Sequence, residues 1–385
     1  MKDFSFGNAV NTLGLTAAVD VFDDEALFQP LNNEDVLGLS QLGGADGFSG
    51  TAAILRSTGI SQRRVLRAGV APIDLAIAVC RKLEQISASS LREFGHILLC
   101  HSHVDPTACE QLAARMSARL GLAPNSISAF NHGCSGFLKL MTEGSLLLED
   151  SEPGAKVALV SIETPEFWHD ASDRLFCGIV SAGATAAVME VGAEGLPISS
   201  VKSDDFRIPA DRRPNPEPLF SIETGDFFDF HGNPSHRQVM RMNAEPVFLN
   251  GIELMLDSLR SALMSIDRRH GERVIVAPHQ PSGKLLKALI AAAKLEFPEI
   301  ELLNNLEFYG NTISSSVPTL VSRFAGVLQR NNVEPPRDGD HIILLAAGIC
   351  MNEINDHMSA GYACMKWQSG ALNASRRQSV MNAAR

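Results

Sequence analysis

The sequence predicts a duplicated α/β fold, with sheet strands covered on both faces by helices, on three observations. Short, near-continuous apolar runs alternate with segments of helical spacing, as in strands buried on both sides. The alternation stops near residue 200 and resumes after residue 245. The second series then repeats landmarks of the first at a near-constant offset: His279 lies 177 positions after Ser102, Asn311 177 after Cys134, and Ser359 178 after Ser181. One long period means two related halves, where short periods would mean a solenoid.

The elements read as follows. Ala9 to Val21 can hold a strand, and Leu37 to Gly50 reads as a glycine-rich connection. From Pro72 to Ser87, Ile73, Ile77, Cys80, Leu83 and Ile86 keep helical spacing behind a proline suited to the first turn. A strand over His96–Cys100 is followed by the loop from His101 to Pro106 and an alanine-rich helix to about Leu120. Ser126–Phe130 alternates as a strand does, and after a small-residue turn the apolar positions from Phe137 to Leu148 repeat at three and four. Lys156–Ile162 and Gly183–Val191 read as central strands. Residues 200–245 crowd prolines, charges and Phe227, Phe228 and Phe230 into a linker or cap. A helix from about Val247 to Met264, a strand from Val274, the run Glu301–Leu303 and a helix from Val317 to Leu328 complete the second series. The expected organisation is thus a first half over 1–199, a cap over 200–245, a second half over 246–367 and a basic extension over 368–385.

With 385 residues, 45% hydrophobic and 20% charged, the chain suits a globular enzyme of more than one core. A formal charge of -11 argues against a general nucleic-acid binder. No run approaches the length of a membrane span and no signal sequence opens the chain, so no membrane association and a cytoplasmic location are expected. Seven cysteines, an odd number scattered through apolar segments, fit reduced thiols. Cys100, His101 and His103 lack a fourth ligand at readable spacing, and no metal is expected.

The chemistry centres on Asn131-His132-Gly133-Cys134-Ser135-Gly136-Phe137. Cys134 falls at a helix N-terminus, where unpaired N–H groups and the macrodipole favour a thiolate and bind an oxyanion. Gly133 and Gly136 are read as keeping the turn open to substrate. Alternatively, Cys134 is a buried hydrophobe, as most free cysteines are. The repeat weighs against that. Loops equivalent by a pseudo-twofold axis end on one side of the sheet, which brings His279 and Asn311 toward Cys134, where α/β folds place their sites. His132 is read as a polar turn residue.

These motifs resemble the thiolase-like condensing enzymes, within them the β-ketoacyl-acyl-carrier-protein synthase III group. The resemblance rests on the Cys134 turn, on Ala277-Pro278-His279-Gln280, on Gly310-Asn311-Thr312 and on the run from Gly339 to Gly348. It extends more weakly to Thr58-Gly59-Ile60 with Arg63 and Arg64. It implies an α/β/α/β/α layered fold and a homodimer without a permanently bound cofactor. It also implies that Cys134 takes an acyl group from coenzyme A or a phosphopantetheine carrier protein. By the same resemblance His279 and Asn311 bind the carbonyl of a malonyl-type thioester for decarboxylative condensation, and the N–H groups of Cys134 and Gly348 form the oxyanion hole. Arg63 and Lys284 are candidate contacts for a pantetheine phosphate or an acidic carrier, and Phe167 and Trp168 candidate walls of an acyl tunnel.

Two departures bear on substrate: His279-Gln280-Pro281-Ser282-Gly283-Lys284 replaces the group's usual His-Gln-Ala-Asn and arginine, and Ser181-Ala182-Gly183-Ala184 its Gly-Asp-Gly-Ala. They favour a specialised-metabolism enzyme. Three other readings stand beside condensation: acyl transfer from Cys134 to a hydroxyl or amine, a papain-type cysteine hydrolase with cysteine, histidine and asparagine in that order, and a non-catalytic partner subunit.

Overall fold

The computed structural model describes residues 12–42, 44, 47–192, 195–213, 217–351 and 355–370. The described strands of the first half are β1 (Leu13–Asp20), β2 (Phe28–Asn32), β3 (Gln62–Leu66), β4 (His96–Cys100), β5 (Ile127–Phe130), β6 (Lys156–Glu163) and β7 (Gly183–Val191). Then come β8 (Leu196–Arg207), β9 (Phe220–Phe228), β10 (Pro234–Met242), β11 (Val274–Pro278), β12 (Glu301–Leu302), β13 (His341–Ile349) and β14 (His357–Lys366).

Ten strands form one sheet in the order β12-β11-β13-β14-β8-β1-β7-β6-β4-β5. Read from either end, the pattern is the same. β4 runs parallel to β5 and β6, as β11 does to β12 and β13, and the next two strands in each half are antiparallel. The halves meet at β1 and β8, where Gly14 pairs with Pro197 and Leu15 with Leu196. The repeat at 177 positions is therefore a structural duplication with β4 matched to β11, β5 to β12 and β1 to β8.

Helices fill three layers. Gly136–Leu148 and Ser316–Ser322 bury Phe137, Leu138, Leu140, Val317 and Leu320 against strands of both halves and form the middle layer. Pro72–Ser87 and Ala108–Leu120 cover the outer face of the first half, and Ala244–Ser265 with Gly283–Glu296 that of the second. This is the α/β/α/β/α arrangement implied by the resemblance. No helix among the described residues is long and apolar enough to cross a membrane.

Several expectations need correction. Leu37 to Gly50 is not a plain connection: a helix spans Asn33–Leu42, with Val36 and Leu39 buried. The boundary at 199 cuts β8, whose Ile198, Ser200 and Val201 are buried inside the sheet; charges at Lys202, Asp204 and Asp205 hid it from an apolar-run search. The helix expected over Val317–Leu328 is two, Ser316–Ser322 and Phe324–Arg330, broken at Arg323, whose guanidinium turns to the carboxylates of Asp20 and Asp23. The basic extension lies almost wholly outside the described residues.

The stretch expected as a linker or cap holds the β9–β10 hairpin, paired from Phe220 with Met242 to Phe228 with Pro234. Arg237 fastens it by donating to the carbonyls of Glu166 at 2.7 Å and His169 at 2.8 Å. Arg241 pairs with Asp170, Asp173 and Glu223, each at 3.0 Å.

Candidate active site

Each site residue sits where a strand of the parallel set ends. Cys134 follows β5 in a turn that leads into Gly136–Leu148, with Ser135 at the N-cap position. Gly133 takes the left-handed conformation at φ 79°, and a Cβ there would lie 2.4 Å from the carbonyl oxygen of Ile349. A Cβ on Gly136 would lie 2.3 Å from Cys100 Sγ. These glycines therefore let the turn press onto β13 and β4, rather than clear a path for substrate. His279 follows β11 directly and Asn311 lies beyond β12, where its backbone bridges to Val180 of the first half.

These three residues line one cavity of about 170 Å³. Its remaining wall is mostly apolar, with Trp168, Phe176, Met240, Val247, Met255 and Met358 among the contributors beside His169 and Ser282. Cys134 is the only one of the seven cysteines that is not fully buried. Gly348 lies against it: a Cβ on Gly348 would stand 2.5 Å from Cys134 Cβ and 2.9 Å from Sγ. Only glycine admits the β13 backbone so close to the sulfur, which is what an oxyanion hole from these two residues requires.

His279 is 1% exposed, and its Nδ1 lies 2.5 Å from Ser316 Oγ. Its Nε2 is buried without a hydrogen-bond partner and the residue lines the cavity. Burial pushes the imidazole down to about 3, so the ring is neutral at physiological pH. The side-chain oxygen of Asn311 accepts the Ile313 N–H at 2.9 Å. That bond fixes the amide so that its NH2 is the end left to donate. It also holds Ile313, a β-branched residue, at φ 49°, a backbone strain of about 1–3 kcal/mol of the kind found beside functional groups.

The helix terminus does not by itself make Cys134 a thiolate. Burial, and then the nearby Glu163 carboxyl, push the thiol up to about 12. Glu163, which the sequence reading passed over, is wholly buried and accepts from Ser102 Oγ at 2.9 Å and from Ser314 Oγ. Burial raises its carboxyl to about 8. A lone acid ending a strand whose run from Val157 to Ile162 is apolar but for Ser161 is the available signal. Ser316 and Ser314 are likewise ordinary serines in sequence: Ser316 acquires its role from His279 of the same half, Ser314 from Glu163 of the other.

The remaining candidates divide. Trp168 lines the cavity, whereas Phe167, the last residue of the short 3-10 helix Pro165–Phe167, is 44% exposed and does not. Arg63 is no phosphate contact. It is 0% exposed and donates to the carbonyl of Gly178, to Asn33 Oδ1 and to Thr58 Oγ1. Lys284 is exposed in the first turn of Gly283–Glu296, beside the cavity-lining Ser282 and Leu285. Gly283, part of the departure noted above, is demanded by packing: a Cβ there would lie 2.6 Å from the carbonyl oxygen of Thr58. His101 spends its Nδ1 on the carbonyl of Ile162 at 2.7 Å, and Cys100 packs under Gly136.

A duplicated sheet that brings cysteine, histidine and asparagine into one cavity is the arrangement that the resemblance to the thiolase-like condensing enzymes implied. Comparison with known proteins agrees. No family model matches the chain. A β-ketoacyl-[acyl-carrier-protein] synthase III of Nitratidesulfovibrio vulgaris (strain DP4) is 23% identical over 265 residues, covering 69% of this chain and 79% of the relative. The crystal structure of 3-oxoacyl-(acyl carrier protein) synthase III from Pseudomonas aeruginosa PAO1 superposes with a TM-score of 0.67 at 20% identity, over 93% of this chain and 99% of that one. The priming β-ketosynthase of the R1128 polyketide pathway gives 0.66 at 17% identity, over 92% and 96%. The resemblance to the synthase III group is thereby borne out in sequence similarity and in fold.

Proposed function

We propose that this chain condenses an acyl group held on Cys134 with a malonyl-type thioester. The observation that carries the reading is the convergence of Cys134, the neutral His279 and the Asn311 amide on one apolar cavity.

The acyl thioester of coenzyme A or a phosphopantetheine carrier enters past Lys284 and Ser282, with Lys284 facing the pantetheine phosphate. Cys134 Sγ attacks the carbonyl carbon. The oxyanion is held by the N–H groups of Cys134 and Gly348, and the C–S bond to the carrier breaks. The proton of Cys134 leaves with the carrier thiol, so no free thiolate accumulates. The acyl chain lies against Trp168, Phe176, Met240 and Met358, an apolar wall that suits a hydrocarbon chain. Ser316 donates to Nδ1 of His279, which keeps the ring proton on Nε2. That N–H and the Asn311 NH2 donate to the carbonyl oxygen of the malonyl-type thioester. The bond to its carboxylate breaks, carbon dioxide leaves, and the enolate charge develops on the oxygen they hold. The enolate carbon attacks the acyl carbon and Cys134 leaves as the thiolate, which is reprotonated. A homodimer is part of the same proposal.

Mass-resolved carbon dioxide release from a malonyl thioester, with an acyl-coenzyme A present, tests the step. Release by the native chain, reduced roughly a hundred- to a thousandfold in Asn311→Ala, is expected. Acyl transfer to a hydroxyl or amine acceptor without carbon dioxide release would replace this reading with the non-decarboxylating one.

A further inference from the structure

We infer that the back of the nucleophile turn carries a transition-metal site, formed by His132, Asp205 and Cys350 and suited to zinc. Their ligand atoms, an imidazole nitrogen, a carboxylate oxygen and a sulfur, all lie within 4.8 Å of one another. The residues come from three separate elements: the turn before Cys134, the C-terminal end of β8, and the position one past β13.

The sheet register brings them together. Ser359 of β14 pairs with Asp205 on one side and with Gly348 on the other. Cys350 lies two residues beyond Gly348, and alternation places both on one face of the sheet. The Cys134 turn rests on that face, with Ser135 Oγ 2.5 Å from Ser359 Oγ.

An independent observation points to a ligand. His132 is 6% exposed, yet its Nε2 is buried with no hydrogen-bond partner and lies 3.7 Å from Asp205 Oδ1. A buried imidazole nitrogen is ordinarily satisfied. Two ligands about 2 Å from a shared tetrahedral ion stand about 3.3 Å apart, so the 3.7 Å spacing closes on an ion with a shift of a few tenths of an ångström. The mixed donor set of thiolate, imidazole and carboxylate suits zinc and its spectroscopic substitute cobalt, and excludes the all-oxygen ions calcium and magnesium. The Asp205 side chain is 44% exposed, so the ion has a route in and a fourth position for water. On binding, the Cys350 S–H bond breaks, a sulfur–metal bond forms and one proton goes to solvent. The ion would tie the turn to β8 and β13, and so fix the backbone N–H groups of Cys134 and Gly348 relative to one another. The site does not depend on the proposed condensation, and its test uses no substrate.

The test is cobalt titration of the chelator-treated full-length chain, followed by absorbance and by thermal unfolding. One cobalt per chain with a sulfur-to-cobalt band in the near ultraviolet is expected, together with a raised midpoint. The band should survive Cys134→Ala, which removes the neighbouring thiol, and disappear in Cys350→Ser. Asp205→Asn, at an exposed side chain that leaves the fold intact, should weaken binding at least about tenfold. The absence of stoichiometric cobalt binding in the native chain, a band that persists in Cys350→Ser, or one lost in Cys134→Ala would each overturn the assignment.

Discussion

The same burial acts in opposite directions on the two titrating members of the site. It lifts the Cys134 thiol to about 12 and lowers the His279 imidazole to about 3, so both are neutral in the resting protein. A neutral imidazole is the form that donates one N–H to a developing enolate. Neutral cysteine means that acylation must move its proton to the departing carrier. Arg63 shows the converse, a charge kept in the interior by full hydrogen bonding. Arg63→Ala is expected to lower unfolding free energy by about 2–4 kcal/mol, because it leaves the Gly178 carbonyl unpaired in a cavity; urea denaturation reads this. A phosphate-binding role would instead raise KM at unchanged stability. Arg63 was legible as part of a motif but not as a structural residue, since one chain gives no sign of which arginine is buried. Cys134, His279 and Asn311 were legible because the repeat offset picks them out. Glu163 and Ser316 were not, because a glutamate ending a strand and a serine opening a helix are commonplace until the fold sets Ser314 beside the one and His279 beside the other.

Among the elements, β13 and the turn before Gly136–Leu148 do the positioning. Gly348→Ala places a methyl carbon within 2.9 Å of Cys134 Sγ. The variant is expected to keep its secondary structure by circular dichroism while losing most acylation of Cys134. Full acylation in it would remove the Gly348 N–H from the oxyanion hole. Periodicity found His96–Cys100, Pro72–Ser87 and Gly183–Val191 at their observed limits. It failed at β8, where a half-charged strand is buried at one end only, and at the helix Asn33–Leu42, which carries three polar residues at its start. The β9–β10 hairpin read only as a crowded cap, since its strands face solvent over most of their length.

At the scale of the whole molecule, duplication was the clearest signal in the sequence, because three landmarks at one offset need no knowledge of packing. What the offset could not give is the depth of the interior, and the pH profile follows from that depth. His101 and His279 are held at about 4 and about 3, below the ordinary 6.5, by burial. The unfolded chain protonates them first, so the stability they lend is present above 6.5 and is lost as pH falls below it. Glu163 and Glu166 are raised by burial to about 8 and about 7 from 4.5. They hold protons that the unfolded chain has released, so their contribution is full below 4.5 and is lost as pH rises through 7 and 8. Stability is therefore expected to peak near about pH 6 and to decline toward 8. Glu163→Gln should flatten the alkaline decline and leave the acid side unchanged, as urea midpoints from pH 4 to 9 would read. A native chain that gains stability between 6.5 and 8 would contradict this.

The central claim is that Cys134 carries the acyl group, and intact-mass spectrometry after incubation with a series of acyl-coenzyme A thioesters tests it most directly. The account predicts the mass of one acyl group on the peptide containing Cys134, with no such addition in Cys134→Ala. No adduct with any thioester, or an adduct that persists in Cys134→Ala, would contradict it.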